Sequence, residues 1–200
     1  DLMYWLPEPG SVPDLASAHA GQLYLTPQPA IFYMSPDIRV PPFDDVRVRQ
    51  ALNIAVDRAK VQKLIGLGTP PTCQILPSNF PGYVPYCPYT LAPGDAWTAP
   101  DLDTARSLVV ESGTEGMKVT VWAAPSYFPE VSHYFRDLLE QLGYRAILKD
   151  VDDGTYGAAL FGSPRRAHLA FTGWFTDYLS ESGYLVPVMT CNASSNLGGF

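Results

Sequence analysis

Lys118-Val-Thr-Val-Trp-Ala123, then Glu130-Val-Ser-His-Tyr-Phe-Arg-Asp-Leu-Leu-Glu-Gln-Leu142, then Gly143 and Tyr144-Arg-Ala-Ile-Leu-Lys-Asp-Val151 decide the fold. The first run is rich in β-branched residues and reads as a strand. In the second, Val131, Phe135, Leu138, Leu139 and Leu142 recur at helical spacing and lay one apolar stripe along a helix. Gly143 suits the left-handed residue that closes a helix, and Tyr144–Val151 returns as a strand. Strand, helix, cap and strand in so short a span make a βαβ unit, with parallel strands and a right-handed crossover expected. A short helix over Thr155–Phe161, a buried strand over His168–Thr172 and a helix over Glu181–Met189 extend the pattern. The expected fold class is α/β, an open mixed sheet with flanking helices.

Upstream of that unit, Asp101 is placed to cap a helix running through Val110 and ending at Gly113, with Leu102, Ala105, Leu108 and Val109 on its apolar face. Pro41-Pro-Phe-Asp-Asp-Val-Arg-Val-Arg-Gln-Ala-Leu-Asn-Ile-Ala-Val-Asp-Arg58 reads as a rigid lead-in to a helix capped by Asp44 or Asp45. Val48, Ala51, Leu52 and Ala55 form its buried stripe over Val46–Val56. A second helix over Asp57–Leu64 stops at Gly66 and Gly68. Residues 1–40 read as a small helix at Asp14–His19 with strands at Gln22–Thr26 and Ala30–Ser35.

Composition bounds the function. The 200 residues are 46% apolar and 16% charged, with 20 prolines and a net charge of −7. That charge argues against nucleic acid, whose phosphates need a surplus of lysine and arginine. Arg165-Arg166 is the sole adjacent basic pair and reads as a solvated turn. No apolar run approaches the ~20 residues that span a bilayer. The chain opens on Asp1 without an initiator methionine or signal peptide and closes on a loop-like Asn196-Leu-Gly-Gly-Phe200. The expectation is a fragment cut at both ends, any targeting signal or anchor lying outside it.

Cys73 and Cys87 both sit in a proline-rich loop over Thr69–Ala99. A bridge between them would close a loop of ~15 residues and contribute roughly 3 kcal/mol where little regular structure holds the chain. The alternative is two buried thiols. Metal ligation is disfavoured, because no further cysteine or histidine lies at ligand spacing. Cys191 is left without an assigned partner, and a disulfide would favour an oxidising, extracytoplasmic location.

Enzyme signatures are absent: there is no Gly-x-Ser-x-Gly elbow, no phosphate-cradling glycine loop and no His-Glu-x-x-His. His19, His133 and His168 are scattered. Asp150-Val-Asp-Asp-Gly154 has the start of a calcium loop but carries Phe161 where the closing glutamate belongs, so it reads as a turn capped by Asp152 or Asp153. Asn192-Ala-Ser194 is a glycosylation sequon by spelling only. No cofactor is expected.

The candidate site is Gly173-Trp-Phe-Thr-Asp-Tyr178. Placed after the buried strand, it would emerge at that strand's C-terminal end, where open α/β sheets usually bind ligands. Trp174 and Tyr178 offer flat apolar contact with a polar edge, and Asp177 offers a negative charge. The competing reading makes Asp177 a helix cap and Trp174 a core residue.

Five markers in order carry a family resemblance. They are the capped Arg47-Val-Arg49 helix, Leu76-Pro77 with Pro81-Gly-Tyr83, Asp101-Leu-Asp-Thr-Ala-Arg-Ser-Leu108, Leu138-Leu-Glu-Gln-Leu-Gly143, and Gly173-Trp-Phe-Thr-Asp-Tyr178. Together they resemble the C-terminal lobe of family 5 extracytoplasmic solute-binding proteins, the dipeptide- and oligopeptide-binding proteins of ABC importers. The resemblance implies that residues 1–200 form a periplasmic-binding-protein-like lobe of a larger two-lobed protein. That protein would close over a small-molecule or peptide ligand, partner ABC permease subunits and be lipid-anchored outside the cytoplasm. It also implies that Asp177 pairs with the ammonium of a bound peptide. Leu179-Ser-Glu-Ser-Gly183 departs from the proline-containing acidic stretch usual after the Asp-Tyr, which bears on ligand type. A different class of function, a ligand-sensing domain fused to a bacterial transcriptional regulator, would use the same fold.

Overall fold

The computed structural model describes residues 11–24, 28–66, 70–161, 167–191, 193 and 195–199. The described strands β1 (Ala30–Pro36), β2 (Lys118–Ala123), β3 (Arg145–Asp150) and β4 (Leu169–Phe175) form one sheet in the order β1-β4-β2-β3. The βαβ reading is met: β2 and β3 are parallel, from Lys118 opposite Arg145 to Ala123 opposite Asp150. On the other edge of β2, β4 is also parallel but overlaps it only at Val121–Leu169 and Trp122–Ala170. β1 runs antiparallel along all of β4, from Ala30 opposite Phe175 to Pro36 opposite Leu169. Phe171–Phe175 therefore pair with β1 alone among the described strands, and β1 and β4 extend past the parallel part as a two-stranded arm.

Alternation along the strands sorts side chains into two cores. Val119, Val121, Leu169 and Phe171 face α2 (Val46–Ala55), α3 (Arg58–Ile65), α4 (Leu102–Ser112) and α5 (Pro129–Gln141). Trp122 and Ala170 face the other way, onto Tyr156, Ala159 and Leu160 of α6 (Asp153–Phe161) and onto Leu197. The apolar stripes read for α2 and α5 are buried, and of the α4 stripe Ala105 and Val109 are buried while Leu102 and Leu108 are half-buried. Val48, Ala51, Leu52 and Ala55 of α2 lie in the first core with Val131, Phe135, Leu138, Leu139 and Leu142 of the α5 region. Each valine, leucine and phenylalanine among them contributes roughly 1.5–3 kcal/mol by leaving water, and each alanine methyl less.

The helix ends explain why charged residues recur in the motifs. Asp45 accepts the N–H of Arg47 at 2.8 Å and pairs with its guanidinium at 2.6 Å. The same guanidinium donates to the carbonyl of Glu111 at 2.7 Å, tying the start of α2 to the end of α4. Arg49 donates to the carbonyls of Phe43 (2.7 Å) and Asp44 (3.0 Å) in the lead-in turn. Asp57, Asp101 and Asp152 cap α3, α4 and α6 through the N–H groups of Lys60, Thr104 and Thr155. Gly66, Gly113 and Gly143 take the left-handed conformation that closes a helix, with φ of 71°, 70° and 95°.

Several expectations shift. The first helix, α1 (Val12–Ala18), begins two residues before Asp14 and buries nothing. The strand expected at Gln22–Thr26 is not formed at Gln22–Tyr24; Gln22 and Leu23 donate to the carbonyl of His19 and close a turn instead. Leu25 and Thr26 lie outside the described residues, as do Gly68, Arg165, Arg166, Asn192 and Ser194. The last strand is longer than expected, running on through Phe175 because β1 supplies a full antiparallel partner.

Cys73 and Cys87 are joined by a disulfide with Cα atoms 5.1 Å apart. Within this proline-rich loop Cys87 bridges to Gly94, and the Thr90 hydroxyl lies 2.9 Å from that of Thr98 while donating to the carbonyl of Ala99. Arg58 Nη1 donates to the carbonyl of Thr72 at 2.9 Å and anchors the loop to α3. Cys191 is a free, exposed thiol.

Candidate ligand-binding site

The segment Gly173–Tyr178 divides at Phe175. Gly173, Trp174 and Phe175 belong to β4, not to a loop after it, and only Thr176–Tyr178 lie beyond the strand. Gly173 looks like a strand terminator in sequence. Here it makes room, because a Cβ on it would lie 2.7 Å from Cδ1 of Phe32 on β1. The ring of Phe32 occupies the space that the missing side chain leaves.

Trp174 points to the face of the arm that carries a third small core, built from Ile31, Phe80 and Tyr184. It is half-buried there, and its indole N–H donates to the carbonyl of Gly183 at 2.7 Å in α7 (Ser182–Met189). Phe80 meets Tyr184 edge to face at 5.3 Å, so the disulfide-closed loop buttresses α7 from behind. Tyr184 reaches back to donate to the carbonyl of Pro29, just before β1. Trp174 thus performs part of the structural role weighed for it while keeping an open edge.

The turn from β4 to α7 is tightly bound to itself. Thr176 Oγ1 donates to the carbonyl of Tyr178 at 2.6 Å, and the Tyr178 hydroxyl lies 3.2 Å from that of Ser182. Gly183 N–H donates to the carbonyl of Ser180 at 2.8 Å. A Cβ on Gly183 would collide with Thr176 Oγ1 and stand 2.8 Å from the carbonyl of Tyr178. Glu181 lies against Gly82 of the Pro81-Gly-Tyr83 turn. The residues at which the sequence departs from the usual pattern therefore form a closed, hydrogen-bonded turn.

Asp177 sits on that turn with its carboxylate exposed and no hydrogen bond or ion pair to the described residues. It does not cap α7, whose N-cap is Glu181 without a side-chain bond. A carboxylate on a fixed turn at the C-terminal end of a strand, with Tyr178 beside it 53% exposed, can pair with a cation brought by a ligand. The histidines are not brought together: His19 ends α1, His133 lies on α5 with Nδ1 3.9 Å from Glu130, and His168 precedes β4. Among the described residues no cluster of histidine, cysteine and carboxylate could hold a metal ion, and no helix is long and apolar enough to cross a membrane. A depression lined by Pro41, Asp44, Asp45, Thr114 and Met117 lies before the start of β2, at the opposite end of the sheet from Asp177.

Sequence reasoning missed the other face of the arm. Phe32 lies 6.0 Å from Phe171 in a stacked arrangement and 5.9 Å edge to face from Phe175. Phe128, just before α5, meets Phe32 at 5.5 Å and Phe171 at 5.8 Å. Its φ of 49° is the one positive value outside glycine among the described residues. For a residue with a side chain that conformation costs roughly 1–2 kcal/mol. The alternation Phe171-x-Gly-x-Phe175 was the available cue, since it puts both rings on one face of a strand.

Comparison with known proteins adds family and fold. The family described as bacterial extracellular solute-binding proteins, family 5 Middle, matches residues 1–196. The chain is 28% identical over 162 residues to the glutathione-binding protein GsiB of Salmonella typhimurium, covering 76% of this chain and 30% of that protein. The murein tripeptide binding protein MppA of Escherichia coli superposes with a TM-score of 0.74 at 22% identity, over 96% of this chain and 38% of that one. The periplasmic binding protein DppA of Helicobacter pylori, solved with the peptide STSA, gives 0.69 at 19% identity over 90% and 33%. At such identities the structures speak for the fold, and the chain spans about 30% of the length of its curated relatives.

Proposed function

The chain belongs to the family 5 bacterial extracellular solute-binding proteins, and from that premise we propose that it is the ligand-binding lobe of an ABC importer's binding protein. Its ligand is a peptide or other small amine-bearing solute. Asp177 takes the ammonium and Tyr178 flanks it, Trp174 holds the turn through its bond to the carbonyl of Gly183, and closure of a second lobe by hinge motion shuts water out. The observation that carries this reading is the unpartnered carboxylate of Asp177 on a turn braced by α7 and the disulfide-closed loop. An ammonium taken from water into a closed cleft needs such a counter-charge, because an unpaired buried charge is very costly.

The relatives support the class of ligand: one is named for glutathione, one for a murein tripeptide, and one was solved with a bound peptide. The span of about 30% of the relatives' length supports a second lobe elsewhere in the protein. Extracytoplasmic location is supported by the family description and by the disulfide. ABC permease subunits are the proposed protein partners, and a lipid anchor outside this segment the proposed membrane attachment. The named relatives give no support to the sensor-domain alternative.

Native mass spectrometry of the complete protein from its own source tests the proposal. A processed N-terminus together with a bound, amine-bearing small molecule released on denaturation is the expected result. An unprocessed chain in the soluble cytoplasmic fraction, carrying no such ligand, would overturn it.

A further inference from the structure

We infer that Phe175, Phe32 and Phe128 form an apolar subsite that receives a side chain of the bound ligand, an inference that rests on the function proposed above. The three rings are contiguous: Phe32 is 5.9 Å from Phe175 on one side and 5.5 Å from Phe128 on the other, with Phe171 buried beneath them. Phe175, at the outer end, is 52% exposed. Lone exposed apolar residues are ordinary on any surface. This group differs, because an unoccupied glycine position seats one ring and a left-handed backbone aims another.

The occupant follows from the charge beside it. Asp177, two residues after Phe175, calls for a cation, so the molecule that covers the rings also carries an ammonium or its equivalent. An extended peptide advances by about 3.3 Å per residue, as the strand beneath it does. A peptide whose terminal ammonium meets Asp177 consequently carries its first or second side chain at the level of Phe175. A peptide with an apolar or aromatic residue near its N-terminus fits both features at once. Trp174 faces the opposite side of the arm and takes no part in this subsite.

The test uses the complete protein, isothermal titration calorimetry and three probes: Ala-Ala-Ala, Phe-Ala-Ala and Ala-Phe-Ala. Wild type should bind one of the phenylalanine peptides roughly tenfold more tightly than the alanine peptide, the scale of a favourable aromatic contact. Phe175→Ala should remove that preference, bringing both phenylalanine peptides to the affinity the variant itself shows for Ala-Ala-Ala, and Phe175→Leu should fall between. Equal losses for all three peptides, or an unchanged preference, would overturn the subsite while the peptide-binding reading stands. Failure of wild type to bind any of the three would overturn the peptide reading and the subsite with it.

Discussion

The β2–α5–β3 unit and the β4–α7 end are held together in different ways. In the first, every apolar residue of the helix stripe is buried, against a β2 whose second half is itself buried, and the turns are made by a left-handed Phe128 before α5 and a left-handed Gly143 after it. In the second, a short core of Ile31, Phe80 and Tyr184 is supplemented by a disulfide, a network of short side-chain bonds and two glycines at close approaches. The first region is a scaffold whose stability comes from burial. The second presents polar and aromatic groups to an open surface, so part of its apolar area stays wet and specific links must compensate. That division is what the proposed binding role requires, since ligand groups cannot be both buried in a core and available.

Several variants would break or sharpen the contrast. Leu139→Ala, at a position 1% exposed on the buried face of α5, should cost about 2–5 kcal/mol in denaturant unfolding. A loss below about 1 kcal/mol would mean that this unit is not the main core. Replacing Cys73 and Cys87 together by alanine should cost roughly 3 kcal/mol. Hydrogen exchange should locate the lost protection in the 70–99 loop and α7, with β2 and β3 much less affected. Uniform loss would show that the two regions are not separable.

Gly183→Ala should cost about 1–3 kcal/mol, because the new methyl has no space between Thr176 and Tyr178. It should also weaken ligand binding by displacing the turn that carries Asp177, as a titration of the complete protein would reveal. The smallest effect concerns pH. Hydrogen bonds from the side chain and backbone of Arg47 hold the Asp45 carboxyl below its usual range, and those of Thr104 and Thr155 do so for Asp101 and Asp152. Depressed carboxyls give stability that is present above the unfolded value near 4 and lost as pH falls through the folded one. A shallow fall in stability below about pH 4, flattened when all three are changed to asparagine, is the expected outcome.

The sequence was most legible where one physical rule acts alone. The α5 stripe, the aspartate caps and the parallel pairing of β2 and β3 all follow from local periodicity and polarity. The extra length of β4 was not legible. It depends on pairing with β1, more than a hundred residues earlier, and on a glycine whose purpose is to admit Phe32. Phe128 was missed for a related reason: a residue preceding proline is expected to be extended, and the ring contacts with Phe32 and Phe171 that accompany its left-handed conformation come from distant parts of the chain. The disulfide was legible because both cysteines share one loop. Asp177 was legible as a charge after a strand, but its freedom from any cap became visible only once Glu181 was found at the start of α7.

The most direct measurement compares a short peptide with its N-acetylated form, on the complete wild-type protein and on Asp177→Asn. Acetylation replaces the ammonium by a neutral amide and adds an acetyl group, so the comparison with Asp177→Asn separates the lost charge from the added bulk. If Asp177 grips that charge, acetylation should weaken binding to wild type by roughly 30-fold or more, the scale of a truncated charge pair. The same change should matter little to the variant, whose own affinity for the free peptide is already reduced. An equal penalty for acetylation in both proteins would contradict the account, because the ammonium would then be held elsewhere.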